Sequence, residues 1–333
     1  GQELEMPPEA GLPMGVGGAT RVVLEIHYNN VARTQGIVDQ SGFRLHYSPT
    51  LRANDATTIV LGHVDLLLPA GAKSTKYANE CPSVCTDTLP HDLHVIAPGL
   101  HMHQAGSKIW TQHVRGDKEL PPLGTRHFWD FNEQNAPQIS AVIKPGDRLI
   151  THCHYDTSKR TEDTTYGEGT KDEMCFNFLL VWPDPGLYMC STAWENHEGN
   201  AAAACMMKDR TEFEEELTYG ALFQPDRFLG NETLLELAKS VLKEYPAETP
   251  KYKAYTDPEC PAGTPWSGSG PQAKAAEPGS GDTDSEDKSS GSNVAMAFGM
   301  IVLFVAVLAA AKFVMDKRRG YRRSLSSAGP AIV

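Results

Sequence analysis

The chain has 333 residues and a formal charge of −12, and 40% of it is hydrophobic. From Lys312 onward six Lys/Arg stand against one acid, or +5, which leaves −17 on the rest; so acidic a body excludes nucleic-acid binding, which wants a basic face. Seven cysteines read as an oxidised, extracytoplasmic protein, and the length is enough for one substantial core with appendages.

From Gly1 to Gly18 the composition is Pro, Gly and acid, which predicts a loop. Arg21 to Asn30 is a β-branched, apolar run of strand character that places Val23, Glu25 and His27 on one face. Phe43 to Tyr47 alternates as a strand, and Thr57 to Leu68 is a further β-rich run. Short strands punctuated by Gly, Pro and Asp continue to Pro183 without a fixed repeat. They predict an all-β fold, an antiparallel jelly-roll-like sandwich. Cys81 and Cys85 form a Cys-x-x-x-Cys that is either half of a zinc site or two disulfide ends, and the absence of a second close Cys/His pair favours disulfides.

The most informative stretch is Leu100-His101-Met102-His103-Gln104. In a strand, side chains two apart share a face, so His101 and His103 present two imidazoles together while Met102 turns away. That is half of a metal site, and a plain histidine-rich strand is the alternative. Met174 is the candidate third ligand, because a soft thioether suits Cu(I) better than zinc. His152 and His154 flank Cys153 in a second His-x-His, read as adjacent to the site or on the surface.

After Pro185 the composition shifts towards Ala, Glu and Lys. Thr233-Leu234-Leu235-Glu236 has the form of a capping box, with Leu234, Ala238, Val241 and Tyr245 at helical spacing before Pro246, which predicts a small helical extension. Asn231-Glu232-Thr233 is a glycosylation sequon. Residues 261–293 are rich in Gly, Ser, Pro and acid and predict a disordered stalk. Val294 to Ala311 carries no charge and Phe313 to Met315 extend it, which predicts one transmembrane helix over 294–315. Lys317, Arg318, Arg319, Arg322 and Arg323 follow, so the positive-inside rule puts the C-terminus in the cytoplasm and makes the protein type I, its folded part extracellular or lumenal. No initiator methionine or signal peptide precedes Gly1, and the chain is expected to be a fragment.

His101 to Gly106, Lys144-Pro145-Gly146-Asp147-Arg148-Leu149-Ile150-Thr151, Cys153 and Asp172-Glu173-Met174-Cys175-Phe176-Asn177-Phe178 follow one another in a family-specific order. The chain resembles the copper type II, ascorbate-dependent monooxygenases: dopamine β-monooxygenase, its tyramine and monooxygenase-like relatives, and peptidylglycine α-hydroxylating monooxygenase. The resemblance runs from about Pro7 to about Cys190. It implies a catalytic copper on His101, His103 and Met174, O2 as co-substrate and ascorbate as reductant. It makes His27 the third ligand of a separate electron-transfer copper, whose adjacent His-His pair does not occur in this sequence. The reading therefore divides the chain into 1–35, the remnant of an N-terminal copper domain; 36–190, the catalytic domain; 191–260, the helical extension; then stalk (261–293), span (294–315) and basic tail (316–333). One copper is expected here out of two in a complete enzyme, with the missing N-terminal domain as partner.

The same resemblance implies disulfides Cys153–Cys175 and Cys81–Cys190, and Cys85–Cys260, which leaves Cys205 to link two chains. It treats His94 as a structural neighbour of the site. Gly99 stands where the peptide-amidating branch has an arginine for a terminal carboxylate, and Cys-Phe-Asn-Phe stands where the amine branch has Cys-Val-Asn-Tyr. The implied activity is hydroxylation of an activated C–H in a small molecule, phenylethylamine-like by analogy. The alternative is a non-catalytic copper-binding or adhesion ectodomain that keeps the fold.

Overall fold

Residues 175–182 show how the layers arise. Leu179 and Val181 are buried with Leu149, Ile143 and Cys81, whereas Phe176 is buried with Met189, Leu217 and Leu222. Alternate side chains of one strand thus enter two different cores, which requires a sheet covered on both faces.

The computed structural model describes residues 4–15, 18, 19, 21, 33–40, 42, 44–195, 200–209, 211–223, 231–246, 253 and 254. His27, Cys260, the stalk, the span over 294–315 and the basic tail lie outside the described residues. Among the described residues the strands are, in chain order, β1 (Ala10–Gly11), β2 (Asn54–Asp55), β3 (Thr57–His63), β4 (Leu67–Leu68), β5 (Thr75–Cys81), β6 (Leu93–His101), β7 (Gly106–Arg115), β8 (Lys118–Leu120), β9 (Thr125–Arg126), β10 (Ala141–Ile143), β11 (Arg148–Tyr155), β12 (Thr164–Thr165), β13 (Cys175–Trp182), β14 (Leu187–Glu195), β15 (Asn200–Met207) and β16 (Lys243–Pro246). The helices are α1 (Ser83–Thr86), α2 (Glu212–Phe223) and α3 (Glu232–Lys239).

The larger sheet has the order β10-β6-β13-β3-β14-β15-β16, and the smaller has β5-β11-β7-β8 with β9 beside β7. They form a two-sheet β sandwich. Its pairings are antiparallel except that β14 runs parallel to β3, a crossover the expectation of an antiparallel sandwich did not include. Between the sheets lie Ile59, Leu61, Leu93, Val95, Leu179 and Val181 from the larger and Cys81 and Leu149 from the smaller. On the outer face of the larger sheet, α2 and α3 cover one region through Leu217, Leu222 and Ala238. Ala10 covers another, over Ile96 and Leu180.

One corner of the sandwich is closed by Asn79. Its Oδ1 accepts from Ser191 Oγ at 2.9 Å and from Thr192 N at 3.0 Å, and its Nδ2 donates to Thr192 O and to His63 Nδ1. The side-chain amide stands in for a peptide group, joining β5 to β14 as a strand neighbour would. Burial pushes the His63 imidazole down to about 4, so it stays neutral and accepts that bond.

Several expectations are corrected here. The sheet does not stop at residue 190: Leu187–Glu195, Asn200–Met207 and Lys243–Pro246 are strands, and helix is confined to α1, α2 and α3 among the described residues. Asn-Ala-Ala-Ala-Ala-Cys-Met-Met reads as helix by propensity, yet its small side chains let β15 lie flat under α2, so packing overrides propensity. Thr233 is not a cap. Asn231 is, accepting from Leu234 N at 3.1 Å, while the reciprocal capping box is Thr211 with Glu214, at the start of α2. Tyr245 is not helical but stands in β16, its hydroxyl 2.8 Å from that of Thr192. Residues 44–48 are in no strand and are exposed.

The disulfides join Cys81 to Cys190, Cys153 to Cys175 and Cys85 to Cys205. Cys85 therefore pairs with Cys205 rather than Cys260, and Cys205 is not a spare cysteine for a disulfide-linked dimer. The cause is register. Cys190 and Cys205 are directly paired residues of β14 and β15, so both side chains point to the same face, where the short α1 presents Cys85 four residues after Cys81. Among the described residues no helix is long and apolar enough to cross a membrane.

Candidate metal centre

β6 ends at His101, on the outer face of the larger sheet, and His103 follows two residues on, while Leu100 and Met102 turn inward to pack with Ile109, Cys153 and Tyr155. Both histidines are buried, at 8% and 5% exposure. Their ring centroids are 5.2 Å apart with 81° between planes.

Both tautomers are set by the protein. His101 Nδ1 is 2.7 Å from Gln134 Oε1, and because Gln134 Nε2 donates to Phe131 O, the oxygen is the atom that faces the ring. His103 Nδ1 is 2.9 Å from the backbone oxygen of Asp172. Each Nδ1–H thus donates to an oxygen, which leaves the lone pair on Nε2 in each ring, the atom a metal takes. Two imidazoles bound to one metal at about 2 Å through Nε2 have centroids about 5 Å apart at a near-tetrahedral angle, so the pair fits.

Met174 stands just ahead of β13, the neighbouring strand. Phe176 pairs with His101, and Met174, two residues ahead of it, packs like Phe176 with the outer core. The intervening segment is held closely. Glu173, fully buried, accepts from His103 N at 2.9 Å and from Ala105 N at 2.6 Å, and meets Arg160 at 3.3 Å. Burial pushes its carboxyl up to about 7, and the Ala105 and His103 amides and Arg160 oppose that rise only in part. Trp129 Nε1 donates to His103 O at 3.0 Å. The structure therefore brings His101 and His103 together, and adds Gln134, Glu173, Trp129 and Asp172 as residues that hold them and the segment leading to Met174.

Among the described residues no group of three His, Cys, Asp or Glu could hold a metal. The donor set of two imidazoles and Met174 suits copper. Around it stand aromatic rings: Phe178 is 5.8 Å from His101, Phe131 is 6.3 Å from His103, and Phe176 is 5.5 Å from Phe178. A Cβ at Gly99 would come within 2.9 Å of Phe178 O and 3.1 Å of its Cβ, so position 99 takes no side chain without displacing Phe178.

Four of the other described histidines sit elsewhere. His152 stacks on Trp110 at 4.4 Å, with His154 against the same ring, on the outer face of the smaller sheet. His94 stacks on Trp182, and His113 is paired with the buried Asp147.

Residues 54–203 match the model of the copper type II ascorbate-dependent monooxygenase C-terminal domain. This domain belongs to that family. Known relatives of the monooxygenase domain include MOXD1 homolog 1 of Drosophila melanogaster, 39% identical over 54% of this chain and 26% of its own length. Tyramine beta-hydroxylase of Caenorhabditis briggsae is 34% identical over 58% of this chain and 34% of its own, and dopamine beta-hydroxylase of Canis lupus familiaris 34% over 56% and 31%. The chain spans about a quarter to a third of the length of the curated relatives it matches. Copper and ascorbate are the family's metal and reductant, and three disulfides agree with an extracellular or lumenal copper monooxygenase domain.

Proposed function

We propose that the sandwich holds one copper ion through His101, His103 and Met174, and that in a complete protein it hydroxylates an activated C–H of a small aromatic amine with O2 and ascorbate. The observation that carries the reading is the pair of Nδ1 bonds to Gln134 Oε1 and Asp172 O, which turn two Nε2 lone pairs to the use of a metal on the face that bears Met174. When bound, copper supplies the reaction with O2 and the one-electron steps that ascorbate feeds. The chain's own residues do the rest: Gln134 and Asp172 hold the imidazole tautomers, Glu173 ties the ligand loop to Met174, and Phe131, Phe176 and Phe178 keep the surroundings apolar.

The amine class is supported by the names of two relatives, tyramine beta-hydroxylase and dopamine beta-hydroxylase. A glycine at 99 under Phe178 offers no cation for a substrate carboxylate, which argues against a peptide terminus. His27 belongs in this reading to the second, electron-transfer copper, completed by residues of a preceding domain. The apolar run 294–315 anchors the protein as type I, with the sandwich outside or in a lumen. Asn231 is a glycosylation acceptor in the same reading, since it is exposed and its cap uses Oδ1, not the Nδ2 that a glycan takes.

The test is copper stoichiometry after loading and exhaustive dialysis, with X-ray absorption on the reduced form. About one copper per chain with a sulfur scatterer is expected. Copper binding that survives His101→Ala with His103→Ala would overturn the assignment, and no copper in the wild type would leave a non-metal ectodomain.

A further inference from the structure

We infer that Tyr155 is a positioning residue that sets the Met174 thioether against the two imidazoles, an inference that rests on the copper reading above. Four consecutive residues are each tied down by a different bond. Asp172 O takes the His103 ring, the Glu173 carboxyl takes the His103 and Ala105 amides, Met174 O takes the Tyr155 hydroxyl at 2.8 Å, and Cys175 is bonded to Cys153. Cys153 and Tyr155 are two apart on β11, so they share its inner face. One strand therefore grips the start of β13 at two successive residues, covalently at 175 and by a hydrogen bond at 174.

The two grips act differently. The disulfide fixes where the chain passes, but not how the peptide plane between Met174 and Cys175 is turned. The carbonyl of Met174 lies in that plane, and its bond to Tyr155 sets ψ of Met174, hence the direction in which the side chain leaves the sheet. This matters for methionine in particular, because its three rotatable bonds already let the sulfur wander and a loose backbone would add to that. Met174 itself is only half-buried, in apolar contact with the outer core. Tyr155 is well suited to hold it: it is fully buried, its ring meets that of Tyr77 edge-on at 6.4 Å, and the Tyr77 hydroxyl is bonded both to Leu67 O and by Leu67 N.

Tyr155→Phe in the copper-loaded chain removes one oxygen and keeps the ring. Because a thioether is a soft ligand that favours Cu(I), the expected result is about a tenfold loss of Cu(I) affinity and a weakened sulfur signal in reduced-state X-ray absorption, with Cu(II) affinity within about twofold of wild type. A thermal melt and disulfide map on the same sample report the fold separately. In a Met174→Leu background the same substitution should change Cu(I) affinity no further. The inference is overturned if Tyr155→Phe keeps wild-type sulfur signal and Cu(I) affinity, or if both oxidation states weaken equally. A wild-type chain that binds copper without sulfur removes Met174 as a ligand and this inference with it, whereas a wild-type sulfur signal that Tyr155→Phe leaves intact overturns the inference alone.

Discussion

Asp147 accepts four hydrogen bonds while fully buried: from His113 Nε2 at 2.6 Å, from Arg115 Nε and Nη2 at 2.7 Å each, and from Lys144 N at 2.8 Å. Burial alone would raise its pKa, but the Arg115 and His113 bonds outweigh it and hold the carboxyl down to about 2. A carboxyl depressed by folding contributes stability above its unfolded pKa near 4 and loses it as pH falls towards 2. Asp147→Asn should therefore cost about 3–5 kcal/mol at pH 7, as breaking a buried pair does. The gap from wild type should narrow between pH 4 and pH 2 in urea unfolding; a gap that stays constant would count against it. At the metal centre, Met174→Ile should lower turnover of the complete enzyme at least about 100-fold and erase the sulfur scatterer, since losing even a supporting partner costs about 10–100-fold. Turnover near wild type would end the thioether assignment. The shared placement of His101 and His103 is legible in sequence because a strand's period of two is written locally. Gln134 is not, because it reaches His101 from an irregular segment with no periodicity, and neither is the partner of His113, which stands just ahead of the adjacent strand, 34 residues on. Glu173 was on view inside the Asp-Glu-Met-Cys motif, yet only the fold shows that its carboxyl serves amides 68 and 70 residues away.

The strands carry the disulfides. With Cys190 opposite Cys205, and Cys81 four residues from Cys85, Cys85→Ser should add one thiol to the wild-type count in denaturant, that of Cys205, and leave the Cys81–Cys190 and Cys153–Cys175 peptides joined on a non-reducing map. Recovery of Cys85 bound to Cys260 in the wild type would show that the register is wrong. Strand β3 is legible because its run of β-branched and apolar residues is bounded by turn residues, whereas the alternation at 44–47 forms no strand. β15 is not, since four alanines carry no alternation and their flat surface has meaning only once α2 lies on it. Helix α3 is half legible: its apolar spacing is visible, but the cap is set two residues before the expected threonine, because Asn231 has the extended backbone and the side-chain oxygen that a cap needs.

Taken whole, the sandwich puts its disulfides and its inter-sheet core on one side of the larger sheet and the imidazoles on the other. Chelation should therefore leave the far- and near-ultraviolet circular dichroism in place and lower stability only by mass action, about 2.7 kcal/mol if copper was at 100 times its Kd. Reduction of the disulfides, by contrast, should unfold the domain; collapse on chelation alone would contradict this. The location of the site also separates two histories that one fold could have. Ligands set on the outside of a sheet can be exchanged or lost by substitution while the interior keeps its sequence, so a lineage can drift out of catalysis without passing through an unstable ancestor. Resemblance in the interior then records descent, and only the outer face records use.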